Sequence, residues 1–358
     1  MERHGSRVFA LSHGVRSCAP LLAIACILAA PRLVLASDAD DAQPVRQALE
    51  DAWWTGPILA PSAATLPQGH VLIEPYLYDS ISYAAYDGTG ERHDTADTHF
   101  LGSQTYVLYG LVDTLSVGVI PRFGYRDSSA GPDSSGIRVG DLSLLAQYRL
   151  PQLPSFRRKS EPPSTSSASP PPTMSIVLQA TLPTGKHDQL GTHPSDGMGS
   201  GAYSLMAGIY MQHFFWMPNG RIVRARFNVT NTFVDEAELR DVSVYGTPEG
   251  FRGRAKPGDS FLAIAAAEYS VTRNWVLAMD VQYQRDERTP VSGSVPRIDG
   301  SRAAAGYMLP ARRAISIAPA VEYNFNSTIG VICGAIWTAT GRNADANLIP
   351  VVALNMVF

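Results

Sequence analysis

The sequence predicts an all-β chain, a transmembrane antiparallel β-barrel of about twelve strands. Three observations carry that expectation. The chain opens on an export-type leader, most of the remaining sequence alternates apolar with polar residues in short segments, and the last residue is the aromatic Phe358.

The leader comes first. Arg3, His4, Arg7 and Arg16 precede an apolar run from Ala19 to Ala30, and Val34-Leu35-Ala36 stands ahead of the acidic Ser37-Asp38-Ala39-Asp40-Asp41. A basic, then apolar, then small-residue order is that of a secretory signal, so residues 1–36 are expected to be cleaved after Ala36. The apolar run is short for a membrane anchor and is broken by Pro31 and Arg32. Cleavage there would leave Cys333 as the single cysteine of the mature chain and exclude an intramolecular disulfide.

Composition narrows the class further. The 358 residues carry a net charge of -3 and only 17% charged side chains, so no basic surface for nucleic acid is expected. The 30 Gly, 26 Pro, 15 Tyr and 12 Phe favour turns and strands. After the leader no stretch reaches the roughly 18 apolar residues of a membrane helix. A closed barrel then remains as the way to satisfy every backbone group inside a bilayer.

Residues 70–358 are assigned to that barrel, in about twelve segments of period-2 alternation separated by turn-forming clusters. The segments start near Val71, Thr98, Thr114, Gly136, Met174, Gly201, Arg221, Ser260, Asn274, Arg313, Thr328 and Ala346. In the clearest, Trp275, Leu277, Met279, Val281 and Tyr283 share one face, and Ala278, Asp280, Gln282 and Gln284 share the other. Ile315 to Phe325 and Val223 to Phe233 repeat the arrangement. A soluble sandwich alternates in the same sense; small residues on the polar face and aromatics at strand ends favour a wet lumen and an interfacial girdle. Tyr109, Tyr269 and Tyr323 each precede a tight turn in matching register and are expected at one membrane depth, as an aromatic belt.

Connections alternate in length. Short turns are expected at Val112-Asp113, Pro218-Asn219-Gly220, Thr272-Arg273 and Asn326-Ser327, and long polar external loops over Ser80 to Asp97, Lys186 to Ser200, Asp235 to Asp259 and Thr289 to Arg312. One connection on the periplasmic side is long: residues 151–173, rich in Pro and Ser, are expected to form a disordered insert.

Residues 37–69 form a periplasmic N-terminal segment. Pro57, Pro61 and Pro67 make it a poor strand, yet Trp53, Trp54, Ile58, Leu59 and Leu66 are too apolar for a free tail. The segment is expected to fold into the periplasmic mouth as a partial plug built on Trp53 and Trp54, with a short helix over Gln43 to Ala52. Anchoring of both Trp rings at the lipid interface is the alternative.

The final strand, LIPVVALNMVF, ends on Phe358 with Leu354 and Met356 on the same face. A terminal aromatic after an alternating strand resembles the signal by which barrel-assembly machinery recognises its clients. The chain further resembles the outer-membrane transporter-like family named after the meta pathway of phenol degradation. That resemblance rests on WWTGPILAPSAATLPQGHVLIEPYLY from Trp53, YGLVDTLSVG from Tyr109, GDLSLLAQYRL from Gly140 and ATLPTGK from Ala180. It implies a barrel in the outer membrane, among its lipids, that helps small aromatic or hydrophobic solutes to cross.

The polar strand faces place Arg122, Arg126, Arg224 and Arg226 in the lumen against Glu74, Glu268, Asp280 and Glu322. These charges either form a solute-selecting constriction or fill a narrow barrel with ion pairs. A plugged structural or assembly-type barrel is the main rival to a channel. A rim hydrolase comes third: His99 and Ser103, His187-Asp188 and His193 with Asp196 lack a nucleophile elbow or metal-ligand spacing. No catalytic residue, metal or cofactor is expected.

Overall fold

The structure, a computed structural model, describes residues 45–129, 131–151 and 170–358. The proposed leader, and residues 152–169 of the Pro/Ser-rich insert, lie outside the described residues. Apart from two 3-10 turns, at Leu49–Asp51 and Pro194–Asp196, the described secondary structure is strand. These are β1 (Val71–Tyr86), β2 (Arg92–Val112), β3 (Leu115–Ile120), β4 (Arg122–Ser128), β5 (Arg138–Val139), β6 (Leu142–Arg149), β7 (Thr173–Leu182), β8 (Ser204–Trp216) and β9 (Ile222–Val234). They continue with β10 (Ala237–Arg240), β11 (Arg252–Ala255), β12 (Ser260–Ser270), β13 (Trp275–Asp286), β14 (Thr289–Pro296), β15 (Arg302–Leu309), β16 (Arg312–Asn324), β17 (Ile329–Arg342) and β18 (Ala344–Val357).

Each barrel strand pairs antiparallel with its neighbours, and β1 closes the circle by pairing with both β2 and β18. β3 and β4 form one stave interrupted at Pro121, which has no N–H to give the ladder. β5 and β6 form another, so the barrel has twelve staves. At the seam, the Val71 and Phe358 amides each donate to the other's carbonyl at 2.9 Å. Outward positions carry exposed Leu77, Leu101, Ile176, Phe227, Leu277, Met279, Val281 and Leu348. So large an apolar band would be an aggregation surface in water; around a closed barrel it matches the hydrocarbon of a bilayer. Trp275, Tyr323 and Phe325 form a chain of ring contacts at 4.7 and 5.0 Å at the base of that band.

Three expectations need correction. The connections over Asp235 to Asp259 and Thr289 to Arg312 are folded, supplying β10, β11, β14 and β15 to a separate four-stranded sheet. Its Ala237, Leu239, Phe251, Ala255 and Val291 are buried together. The four-residue strands β10 and β11 are too short to show period-2 alternation over a useful window. Ser80 to Asp97 is no loop: β1 and β2 run on to a tight turn in which the Asp87 carboxylate accepts from the Thr89, Gly90 and Glu91 amides. Between Gln43 and Ala52 the described residues form only the 3-10 turn, and a side chain from the barrel competes for the chain there: Trp216 Nε1 donates to the Gln47 carbonyl at 2.9 Å.

Candidate functional site

One end of the barrel carries the short turns at Asp113, Met217 to Arg221, Val271 to Asn274 and Phe325 to Thr328. Residues 53–68 run inside the wall at this end. Lacking a ladder of its own, the segment must find partners for its backbone N–H and C=O groups elsewhere. Lumenal side chains supply them.

Carboxylates and carbonyl oxygens take the amides. Glu322 Oε2 accepts from Thr55 N at 2.8 Å and Gly56 N at 3.2 Å. Asp280 accepts from Ala60 N at 3.1 Å and Leu59 N at 3.4 Å, and Gln212 Oε1 from Ala63 N at 3.3 Å. Nearer the rim, Ser116 Oγ accepts from Leu66 N at 2.8 Å and Asp113 Oδ1 from Gln68 N at 2.9 Å. Donors take the carbonyls: Arg226 Nη1 reaches Ala60 O at 2.6 Å, Asn228 Nδ2 reaches Pro61 O at 2.9 Å, and Gln147 Nε2 reaches Ser62 O at 2.9 Å.

Small wall residues leave room for this segment. Ile58 packs among Ala278, Ala318, Ala320 and Ala353, and Ala60 against Ala266. A methyl group added at Gly330 would overlap the Thr55 hydroxyl, and one at Gly110 the Pro67 carbonyl. Both glycines are therefore required by close approach rather than by backbone conformation.

Three of the expected lumen charges, Arg224, Arg226 and Glu268, converge on one another. Arg224 forks onto Glu268, its Nε 2.7 Å from Oε2 and its Nη2 on Oε1. Arg226 Nε stands 3.1 Å from the same Oε2. All three side chains are buried, with Glu268 fully so. Trp54 lies under the Arg224 guanidinium at 4.7 Å and against Phe214 at 6.0 Å, and Trp53 faces Arg273 at 5.5 Å. Both Trp rings thus contact groups at the mouth or inside it, and Trp53 N donates to the Arg273 carbonyl.

Asp280 and Glu322 hold the segment, and Glu74, Arg122 and Arg126 have other hydrogen-bond or ring partners. Glu74 accepts from Asn355 Nδ2 at 3.2 Å. Arg122 donates to Asp141 O at 3.1 Å and Ser143 Oγ at 2.7 Å, and Arg126 sits 5.7 Å from the Phe100 ring. Two residues of β4 on one face are four positions apart along the strand, which carries Arg126 toward the loop end and away from β9 and β12.

Sequence reading missed the polar, uncharged members of the site: Ser116, Gln147 and Gln212. They are isolated polar residues on inward faces, and nothing but the strand register distinguishes them from any wet lumenal side chain. It also missed an aromatic group on the inner face, where Tyr78 meets Phe100 at 6.0 Å and Tyr76 meets Tyr106 at 5.8 Å. The histidines considered for hydrolysis are engaged elsewhere: His99 with Asp79 at 2.9 Å, His187 with the Glu238 carbonyl, His193 with Thr192.

The fold is similar to that of an outer membrane channel from Pseudomonas putida F1, with a TM-score of 0.59 at 15% identity, covering 84% of this chain and 100% of that one. More distant are the Pseudomonas putida toluene transporter TodX, at 0.38 and 13% identity over 86% of this chain and 95% of that one, and the β domain of the Bordetella autotransporter BrkA, at 0.42 and 8% over 81% and 100%. No curated protein matches the sequence. Residues 81–343, well over half of the chain, match the family described as "Putative MetA-pathway of phenol degradation", and the chain belongs to that family.

Proposed function

We propose that the protein is an outer-membrane channel for passive passage of small aromatic or otherwise hydrophobic solutes, with residues 45–68 as a plug in its periplasmic half. The carrying observation is the way the segment is held: single hydrogen bonds from lumenal side chains to its backbone, with no ladder and no covalent tie. None of these bonds belongs to the barrel's own ladder, so the segment can shift without unpicking the barrel. Tyr76 is buried in one cluster with Ile58 of the segment, and beside it the inner face carries the half-buried Tyr78, Phe100 and Tyr106, rings suited to a solute with a π face. The family's name points to aromatic catabolism, and the similar fold from Pseudomonas putida F1 is that of a channel.

The reading assigns the protein no catalysis. Phe358, exposed at the seam beside Val71, is assigned to recognition by barrel-assembly machinery. The rival reading, a statically plugged structural barrel, draws on the same dense hydrogen bonding. Proteoliposome flux separates them: a channel passes toluene- or phenol-sized solutes faster than protein-free vesicles and faster than sugars of equal size. No flux above the lipid background would favour the static barrel.

A further inference from the structure

We propose that the loop-end half of the lumen holds a subsite for aromatic carboxylates, formed by Arg126 with Phe100 and, deeper, by Arg122 with Tyr78 and Tyr106. The inference rests on the channel reading above and names its solute class.

The two arginine pairs of the lumen are unequally partnered. Arg224 and Arg226 share the Glu268 carboxylate. Arg122 and Arg126 have no carboxylate within ion-pair distance among the described residues, although both stand on the inward face of β4, alternating with outward Phe123 and Asp127. Asp141 and Asp196, on neighbouring segments, are engaged elsewhere. Asp141 offers Arg122 only its backbone carbonyl, because its side chain accepts from Gly185 N at 2.9 Å, Ser200 N at 2.7 Å and Ser200 Oγ at 2.9 Å. Asp196 accepts from Ser135 and from Arg138 at 2.6 Å.

A cation partly withdrawn from water with no counter-charge is costly, and a mobile anion relieves that cost. The ring beside each cation specifies the rest of the anion. Arg126 lies 5.7 Å from the centre of Phe100, which leaves one guanidinium edge for a carboxylate and a ring for its aromatic body. Tyr78 packs against Phe100 at 6.0 Å, and Arg122 pairs with Gln104, whose same-face neighbours along β2 are Gly102, paired with Tyr78, and Tyr106. Glycines at 102 and 124 let Tyr78 and Phe100 rest against the wall: a methyl at either would collide with the ring.

Arg126 and Arg122 are four residues apart on one strand face, about 13 Å along the chain. One carboxylate cannot reach both. They form two successive stations, the arrangement that lets an anion bind and still move on.

The test uses the purified full chain in detergent, titrated calorimetrically with benzoate, benzyl alcohol and cyclohexanecarboxylate, and the same three solutes in proteoliposome flux. Benzoate is expected to bind about tenfold more tightly than either comparator. Arg126→Gln should bring benzoate down to benzyl alcohol, and Phe100→Leu should bring it down to cyclohexanecarboxylate. Should a variant fail to show the heat-modifiable mobility of a folded barrel, Arg122→Gln and the wild-type ranking decide instead. Equal binding of benzoate and benzyl alcohol by the wild type, or a folded Arg126→Gln that keeps the preference, overturns the subsite. Flux of all three solutes without a carboxylate preference sinks the subsite and leaves the channel. Benzoate binding with no flux retains the site and sinks the channel.

Discussion

The Glu322 carboxylate, on β16, accepts the amide protons of Thr55 at 2.8 Å and of Gly56 at 3.2 Å. A carboxyl group in the barrel wall is thus satisfied by backbone from far away in sequence, and the same backbone is satisfied by the carboxyl oxygen. Changing Glu322 to Leu removes both bonds and strands two amides, at about 1–3 kcal/mol for each buried donor left unsatisfied. The expected outcome is a segment that is digested several-fold faster at its N-terminal end by added protease. The barrel itself should keep its heat-modifiable mobility. Unchanged digestion would show that Glu322 does not hold the segment.

Much of this was legible in the residues. Strict alternation in Trp275 to Asp286 and in Val223 to Phe233 fixed which side chains face inward, and the structure places Arg224, Arg226, Asp280 and Glu268 on that face. The apolar, proline-rich stretch from Trp53 pointed to a packed segment that is not a strand. The pairing of wall side chains with particular amides was not legible, because a segment without periodicity has no register to read. Nor was the division of the arginines into a paired set and an unpaired set, since it depends on where Asp141 and Asp196 spend their oxygens.

Wall glycines offer a steric version of the first test. Gly110→Ala places a methyl on the Pro67 carbonyl, whereas Gly136 has open space around it. Gly110→Ala is expected to loosen the segment in the proteolysis assay, and Gly136→Ala to leave it unchanged. Equal behaviour of the two variants would contradict the close approach.

The Arg224–Glu268–Arg226 cluster makes a stability prediction with a sign. Glu268→Ala leaves two buried guanidinium groups without their acid and should cost about 3–5 kcal/mol. Replacing all three by apolar residues of similar size should cost far less. Denaturant midpoints for refolding into micelles measure both, and a harmless Glu268→Ala would rule out a structural ion cluster.

An acid-dependent clamp lies outside the membrane span. Burial of Asp196 raises its pKa, but the Ser135 amide and hydroxyl and Arg138 outweigh that and hold it below the ordinary carboxylate range. A depressed folded pKa means stabilisation that is present above the unfolded value of about 3.9 and lost as pH falls through the folded one. Protease protection of the loop around Asp196 should therefore be flat from neutral pH down to that unfolded value and fall below it. Asp196→Asn should lower protection at neutral pH and flatten the profile; a wild-type profile that titrates near neutrality would contradict the assignment.

Occlusion of the lumen by the N-terminal segment is read out by the single-channel conductance of a variant lacking residues 37–68. If the segment occludes the periplasmic half of the lumen, the deletion, inserted as a folded barrel, conducts several-fold more than the full chain. A correctly folded deletion with unchanged conductance would contradict the plug and leave Trp53 and Trp54 as anchors of the segment alone.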